Sequence, residues 1–243
     1  MNEAIVDKAI VLGHPSYVWR YGQDRRLNLM CCYVPLEQKR ILDVGCGLGM
    51  YVKKFRAFSD EVFGVDVDAE KVENASQSLP NISVAPAEQL PFPDDWFDVV
   101  LLHEVIEHVA DDRAAISEAC RVTRPGGSII IFAPNRLYPF ETHGFYLGKK
   151  YIFKLLPVVN YLPDRVRRVF VPHVRIYRTR DLRRLFEGLA VKTIVHTQIY
   201  PGFDNIASRH RRLATFLRRV LYTLEQTPLR SFGLSHFLVV RKL

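Results

Sequence analysis

Between residues 39 and 134, short apolar runs alternate with segments in which apolar residues recur every three or four positions. The short runs are typical of buried strands, and the periodic segments are typical of amphipathic helices. Strands that alternate with helices predict right-handed crossovers and a parallel sheet with helices on both faces, a three-layer α/β/α fold. The predicted strands lie at 39–44, 61–67, 82–86, 98–104, 128–134, 190–199 and 235–241, and the predicted helices at 16–33, 50–58, 69–78, 112–123 and from Thr179 onward.

The first predicted strand runs into three glycines at alternate positions, Gly45, Gly47 and Gly49. Without Cβ atoms, such a turn can approach a ligand closely, and Asp43 on the strand can accept from the polar tail of that ligand. A dinucleotide fingerprint would place its third glycine one residue later, which argues against a nicotinamide cofactor. The second strand ends at Asp66, where a carboxylate suits the two hydroxyls of a ribose. The pattern therefore indicates a nucleoside-bearing cofactor.

Residues 40–135 resemble the class I methyltransferases that use S-adenosylmethionine. The resemblance implies a Rossmann-like, doubly wound sheet of seven strands, mostly parallel with an antiparallel last strand. It also implies S-adenosylmethionine as the cofactor and methyl transfer as the activity. The matching motifs are the glycine loop at 43–49, the ribose-binding acid Asp66, the stretch beside the adenine at 85–92, the fourth strand at 97–102 and the turn into the fifth strand at 124–127.

The resemblance also implies which residues contact the cofactor. Many relatives carry an Asp for the adenine amino group where this chain has Pro86, so we expect the Ala87 backbone and Glu88 to replace it. The family's N-terminal helix closes over the cofactor, so Arg20 would meet its carboxylate and an aromatic ring would face the sulfonium. The expected cofactor residues are Tyr17, Arg20, Asp43, Gly45, Cys46, Gly47, Gly49, Asp66, Val67, Ala87, Glu88, His103 and Glu104.

After the fourth strand, Glu104, Glu107 and His108 are spaced so that they would share one face of a helix. This spacing resembles the divalent-metal site of certain methyltransferases, including quinone O-methyltransferases and small-RNA 2′-O-methyltransferases. There the metal gathers acceptor hydroxyls and lowers the pKa of the one that attacks. His143 would be a further ligand. The same motif is common in relatives not known to need metal, where it shapes the cofactor pocket, and we favour that second interpretation.

Methyl transfer is an in-line displacement at a sulfonium, so the enzyme mainly aligns the nucleophile and excludes water. A hydroxyl acceptor also needs a base that removes its proton. His143 and Glu141 follow the fifth strand, where such sheets place their site, and are the first candidates. His173 and Tyr177 are the second candidates. The alternative for each of the four residues is a surface or packing role.

Charge is divided unequally along the chain. Residues 1–140 hold 14 Lys or Arg against 20 Asp or Glu, whereas residues 141–243 hold 20 against 6. A basic half favours an anionic partner or substrate, and solvated surface is the alternative. Within an insertion at 136–178, residues 145–171 mix large apolar side chains with Lys and Arg, which suits contact with anionic lipid or a lid over an apolar acceptor. A second amphipathic stretch, 206–224, predicts a helix whose apolar stripe packs on the core.

We expect one methyltransferase domain over residues 1–243, with a helical cap at 1–38. No apolar run approaches the roughly 18 residues of a spanning helix and the start lacks a signal-peptide pattern, so a cytoplasmic protein is expected, with an anionic membrane surface as a candidate partner. The four cysteines lack metal-like spacing and are expected to be reduced thiols.

The function that these features favour is O-methylation of a small or lipid-like acceptor of the quinone, polyketide, sugar or lipid type. One alternative is an RNA-directed methyltransferase. It is less favoured because Leu102-His103-Glu104-Val105 stands where enzymes that methylate base amino groups carry Asn/Asp-Pro-Pro-aromatic. The other alternative is a catalytically silent, cofactor-binding interaction subunit. The intact glycines and Asp66 argue against it. The sequence does not indicate the oligomeric state.

Overall fold

The computed structural model describes residues 19–243, which form one seven-stranded sheet with helices on both faces and an insertion after the fifth strand. The strands of the main sheet are β1 (Ile41–Val44), β2 (Val62–Asp66), β3 (Ile82–Val84), β4 (Phe97–His103), β5 (Thr123–Pro134), β10 (Val191–Ile199) and β11 (Ser235–Lys242). The helices are α1 (Tyr21–Tyr33), α2 (Met50–Phe55), α3 (Ala69–Ser76), α4 (Asp112–Val122), α5 (Asp164–Phe170), α6 (Thr179–Arg184), α7 (Asp204–Ala207) and α8 (Arg211–Leu224).

The strand order across the sheet is β10-β11-β5-β4-β1-β2-β3. Strands β1 to β5 pair in parallel, and β11 alone runs antiparallel to both of its neighbours, β5 and β10. The strand order reverses between β1 and β4, because β2 and β3 follow on one side of β1 while β4 and β5 follow on the other, and this places the carboxyl ends of β1 and β4 side by side. The predicted mostly parallel, doubly wound sheet with an antiparallel last strand is confirmed.

Two apolar layers flank the sheet, and the strands supply both because successive side chains point to opposite faces. On β4, Val100 and Leu102 join the layer under α4 and α6, while Val99 and Leu101 join the layer under α1 and α2. All four side chains are at most 2% exposed. This explains why the strand is an uninterrupted apolar run in the sequence.

Short side chains fix where the helices begin. Asp68 caps α3 by accepting from the backbone N–H groups of Glu70 and Lys71. Asp111 caps α4 in the same way, accepting from Arg113 and Ala114. All four cysteines of the chain are free thiols. No helix in the described part of the chain is both long and apolar enough to cross a lipid bilayer.

The segment 136–178 contains two small antiparallel pairs and a helix. Strand β6 (Phe140–Glu141) pairs with β9 (Leu156–Pro157), and β7 (Phe145–Leu147) pairs with β8 (Lys150–Ile152) in a hairpin. Helix α5 follows a single 3₁₀ turn. This segment leaves the sheet at the carboxyl end of β5 and returns at α6, so it lies where the site is expected.

The predicted helix 206–224 is wrong in two respects. The chain forms two helices, α7 and α8, with a break at residues 208–210. The apolar stripe of α8 does not pack on the core, because Ala214 is the one buried residue of that helix. The helix lies outside both layers and contacts α1 and residues 200–202, so helical spacing alone could not show which face would be covered.

Candidate functional site

The glycine loop and Asp66 meet at the carboxyl ends of β1 and β2, as the sequence predicts. Gly45 has a φ of 72°, and a Cβ there would collide with the side chain of Val105. The Asp66 carboxylate accepts from the backbone N–H of Gly47 at 2.7 Å and from that of Asp68 at 2.9 Å. The acid therefore also holds the loop in shape, and it lies where a ribose would approach the loop backbone.

Asp43 is buried at the end of β1, with 2% of its surface exposed. Burial, together with the charge of Asp66, raises the pKa of Asp43 well above its ordinary range. Burial raises the pKa of the neighbouring Cys46 thiol as well, so this sulfur is not a thiolate. A cationic ammonium next to Asp43 would offset the cost of its buried charge, and the amino-acid tail of S-adenosylmethionine carries such a group. The residues present thus fit that cofactor.

Arg26 of α1 occupies the other side of this site, and the sequence gave no reason to select it over Arg20. Its guanidinium donates to Glu104 Oε1 at 2.8 Å and to Ser235 Oγ at 2.8 Å, and lies 2.6 Å from His103 Nε2. Burial alone would raise the pKa of Glu104, but Arg26, the hydrogen bond from Ser235 and the nearby histidines together outweigh it and lower that pKa. Burial, with Arg26, lowers the pKa of His103 to about 3, so its ring is neutral and can accept from Arg26.

Three further residues bear on how the cofactor site compares with the prediction from the sequence. Arg20 directly precedes α1 and donates to Oδ1 of Asn205 in α7 at 3.2 Å. Tyr17 lies outside the described residues. Tyr51 was not foreseen, although it follows the glycine loop directly. Its buried hydroxyl has no hydrogen-bond partner among residues 19–243, and its ring packs 4.7 Å from the ring of His103.

The residues expected beside the adenine differ in burial and in the contacts they make. Ala87 is buried and Val67, directly after Asp66, is largely exposed. The Glu88 carboxylate accepts from the backbone N–H groups of Ala110 (2.8 Å) and Asp111 (3.3 Å), so it fixes the turn that leads into α4. One carboxylate oxygen of Glu88 therefore has a structural role, in addition to the adenine recognition that we expect from this residue.

Buried Glu141 and half-buried His143 form a pair in the segment after β5. Glu141 Oε1 accepts from the backbone N–H groups of Thr142 and His143 and lies 2.9 Å from His143 Nδ1, while Oε2 accepts from Arg167 at 2.6 Å. Burial would raise the pKa of Glu141, but the contacts with His143 and Arg167 together lower it to about 2. Glu141 is therefore a fixed anion that cannot serve as a base. When His143 Nδ1 carries the proton toward Glu141, Nε2 is left as the acceptor.

Glu107, His108 and His143 come together beside this pair, with one ligand atom from each lying within 4.8 Å of the others. Glu107 is 1% exposed, and neither carboxylate oxygen has a hydrogen-bond partner among the described residues. Burial and the nearby Glu104 carboxylate raise the pKa of Glu107 well above its ordinary range. Burial, with His143, lowers the pKa of His108. One carboxylate and two imidazoles are a donor set that suits a divalent cation.

This cluster corrects the predicted metal set of Glu104, Glu107 and His108. Residues 104–108 form a turn after β4, with Glu104 at a φ of 56°, so the three side chains do not share a helical face. Glu104 is bound by Arg26 and Ser235 and does not belong to the group. His143 completes the group in its place. The sequence offered His143 as a further ligand, but it could not show that a turn separates the two glutamates.

The second candidates for the base are less well placed. His173 is exposed, and its ring packs against Tyr146 and Tyr151 at the hairpin. The Tyr177 hydroxyl is buried between the carbonyl of Ile106 and the carboxylate of Asp112, each at 2.9 Å. Burial and Asp112 raise the pKa of Tyr177, which makes it a structural hydrogen-bond donor and a poor base near neutral pH.

Comparison with known proteins agrees with this geometry. The family model described as "Methyltransferase domain" matches residues 42–131. The ubiquinone biosynthesis O-methyltransferase of Rhodopseudomonas palustris (strain BisB18) is 33% identical over 128 residues, which is 50% of this chain and 50% of that protein. The ubiquinone/menaquinone biosynthesis C-methyltransferase of Geotalea daltonii is 34% identical over 152 residues, covering 52% of this chain and 62% of that protein. The chain thus spans about half to three-fifths of the length of these curated relatives.

A crystal structure of an S-adenosylmethionine-dependent methyltransferase from Mesorhizobium loti has the same fold, with a TM-score of 0.62 at 18% identity, over 89% of this chain and 96% of that one. Residues 42–131 thus match the methyltransferase domain, and the described fold is that of the class I S-adenosylmethionine-dependent methyltransferases, as the glycine loop and Asp66 predicted. The fold and family imply S-adenosylmethionine as its cofactor.

Proposed function

We propose that this protein transfers a methyl group from S-adenosylmethionine to a hydroxyl oxygen of a small or lipid-like acceptor, with a quinone-like phenol as the favoured class. The observation that carries the proposal is the group of Glu107, His108 and His143 beside the cofactor site. A buried carboxylate with no hydrogen-bond partner in the described structure, facing two imidazoles, suits a hydroxyl acceptor better than a carbon or sulfur one. The names of the two curated relatives, an O- and a C-methyltransferase of quinone biosynthesis, support the same acceptor class.

The chain's own residues would divide the work as follows. Asp66 holds the ribose and Asp43 the ammonium of the cofactor, while Arg26 fixes His103 and Glu104 at the end of β4. His143 Nε2 accepts the proton of the acceptor hydroxyl as the oxygen attacks the methyl carbon. Bound S-adenosylmethionine supplies the methyl group and a neutral thioether leaving group.

Glu141 acts on His143 as a positioning residue. Its carboxylate, held by Arg167 and two backbone N–H groups, keeps His143 in the tautomer whose Nε2 can accept a proton. The negative charge of Glu141 also stabilises the imidazolium that forms when His143 takes the proton. Because the pKa of Glu141 is lowered to about 2, this charge is present throughout the neutral range.

A divalent cation is the second way in which the same residues could activate the acceptor. Glu107, His108 and His143 would hold it, and it would act as a Lewis acid that lowers the pKa of a bound hydroxyl. In that case His143 Nε2 is a ligand of the cation and cannot also accept the proton. His143 therefore acts either as the base or as a cation ligand, but not as both. The residues fit either role.

The segment 136–178 would cover the acceptor. It provides Glu141, His143 and Arg167, and it also carries exposed apolar side chains such as Leu147 and Leu155. An apolar cover excludes water from the reacting atoms and favours an acceptor with a large apolar part. This supports a quinone-like or lipid-like substrate over a free sugar.

The test is methyl transfer from labelled S-adenosylmethionine to a catechol probe, with His143→Gln as the variant and His173→Gln as the matched control. The proposal expects His143→Gln to lower kcat by about 10²–10⁴-fold with unchanged binding of adenosylhomocysteine, and His173→Gln to have little effect. Adenosylhomocysteine binding without turnover on any hydroxyl probe would contradict it. Loss of activity in EDTA, with recovery on adding a divalent cation, would select the cation; activity that is insensitive to EDTA would select His143 as base.

A further inference from the structure

Helix α8 is inserted between β10 and β11 and rests on α1. Arg218 of α8 stacks over the ring of Tyr21, and Arg25 of α1 stacks over the ring of Tyr222, each at 3.8 Å from the ring centroid. Arg25 also forms an ion pair with Glu225. These contacts, together with buried Ala214, define the side of α8 that faces the domain.

A different side of α8 carries an exposed apolar stripe. Leu213 is 47% exposed, Phe216 is 62% exposed and Val220 is 41% exposed. Their spacing of three and four residues places them in one row along the helix, about a quarter turn or more from the row of Ala214 and Arg218. The stripe is therefore not part of the contact with α1, and it faces away from the domain.

Arginines border this stripe. Arg212 and Arg219 are exposed, and a separation of two helical turns places them in one row beside Phe216. Arg209 and Arg211 add two more exposed cations at the start of the helix. Within residues 19–243, none of these four arginines forms an ion pair with a carboxylate. An exposed apolar row beside unneutralised cations is the arrangement of helices that lie in the interface of anionic membranes.

We propose that α8 docks this protein on an anionic lipid surface, with Leu213, Phe216 and Val220 in the boundary between headgroups and acyl chains and Arg212 and Arg219 on the phosphates. Charge complementarity selects anionic lipid as the occupant, because the exposed arginines that flank the apolar row have no carboxylate partner in the described part of the chain and lipid phosphates would supply the opposite charge. The basic balance of residues 141–243 adds long-range attraction to the same surface.

The docking site would be linked to the candidate active site through α1. Arg25 and Arg26 are consecutive on that helix: Arg25 is bound to α8, and Arg26 is bound to Glu104 and Ser235. A protein docked in this way would present its site close to the lipid, where an apolar acceptor is concentrated. The inference goes beyond the proposed function and does not depend on it, since docking can be measured without turnover.

The test is cosedimentation of the full chain with two kinds of vesicle, pure phosphatidylcholine and phosphatidylcholine mixed with phosphatidylglycerol. We expect binding only to the anionic vesicles, and weaker binding as salt is raised. Phe216→Ser should weaken binding about tenfold or more. Replacing both Arg212 and Arg219 with Gln should weaken it roughly 30-fold, at about fivefold for each arginine. These side chains are exposed, so the variants should keep the wild-type Tm.

The matched control is the double change of Leu155 and Val169 to Ser. These residues of the segment 136–178 are 62% and 70% exposed, and should have no effect on vesicle binding if α8 is the docking element. Loss of binding in this control alone would overturn the proposal and place the docking site on that segment. Absence of binding to anionic vesicles at low salt would overturn it as well. If light scattering shows a dimer that Phe216→Ser dissociates, and vesicles do not bind, the stripe is an interface between two copies.

Discussion

Glu107 and Glu141 should respond in opposite ways to the same substitution. Both carboxyl groups lie at the candidate site, and each residue is 1% exposed. Glu141 is surrounded by donors and a guanidinium, whereas Glu107 has no hydrogen-bond partner among residues 19–243. We therefore predict that Glu107→Gln stabilises the ligand-free protein and that Glu141→Gln destabilises it.

The gain from Glu107→Gln comes from removing a carboxyl group that ionises freely in the unfolded chain but is disfavoured as an anion by burial in the folded protein. A buried polar group without a partner costs about 1–3 kcal/mol, and more when it is charged. The amide keeps the size of the side chain but never ionises, so it avoids the larger cost. At roughly 2–4 °C for each kcal/mol in a protein of this size, Tm should rise by about 2–10 °C. The pKa of Glu107 is raised, so the wild type loses stability as pH increases through that pKa, and the gain should widen toward alkaline pH.

The loss from Glu141→Gln comes from breaking a buried ion pair. One oxygen of Glu141 faces three donors and the other faces Arg167, so an amide NH₂ opposes a donor in either orientation. Removing one partner of a buried pair costs about 3–5 kcal/mol, and Tm should fall accordingly. Thermal unfolding followed by circular dichroism, without ligand and in EDTA, measures both variants. A fall in Tm for Glu107→Gln as large as for Glu141→Gln would refute the reasoning, because it would mean that Glu107 has a stabilising partner.

Three further predictions concern single contacts. Asp66→Ala should weaken adenosylhomocysteine binding by about 1.5–3 kcal/mol in calorimetry, and unchanged affinity would remove its ribose role. Arg26→Met should weaken the same binding and lower Tm, because Glu104 then lacks its cation. Arg20 donates to Asn205 instead, so Arg20→Met should change the affinity little. Equal effects of the two substitutions would refute the assignment of Arg26 to the site. Because the pKa of Glu141 is lowered to about 2, the stability that its charge adds should be complete above the ordinary glutamate pKa and disappear as pH falls toward 2. The free energies of unfolding of the wild type and Glu141→Gln should therefore converge near that pH in an acid titration.

Local patterns predicted the fold and the cofactor loop well. The glycine turn, Asp66 and the apolar run of β4 are each determined by neighbours along the chain, and the structure brings the loop and the acid together as expected. The mostly parallel sheet followed from the alternation of strands and helices, and its antiparallel last strand followed from the resemblance. These are features in which a few adjacent residues decide the backbone conformation, so a single sequence carries the information.

Long-range contacts were the part that the sequence could not supply. Arg26 reaches the end of β4 from a helix 78 residues earlier, and nothing in its own segment distinguishes it from Arg20. The stripe of α8 has the periodicity of a core helix, and only tertiary packing shows that it is exposed. The metal set failed for a related reason: its spacing assumed a helix, and Glu104 adopts a left-handed conformation that makes a turn.

The chemistry of the site depends on what neutralises Glu107. Its carboxyl can lie beside Glu104 at neutral pH only if a proton or a cation accompanies it, because burial and the neighbouring Glu104 carboxylate both disfavour its charge. If the companion is a proton, Glu107 donates a hydrogen bond into the site and His143 is free to act as base. If it is a divalent cation, adding that cation should raise the Tm of the wild type but not of Glu107→Gln, by an amount that grows with concentration. A Tm that no divalent cation changes would assign the proton to Glu107 and the base to His143.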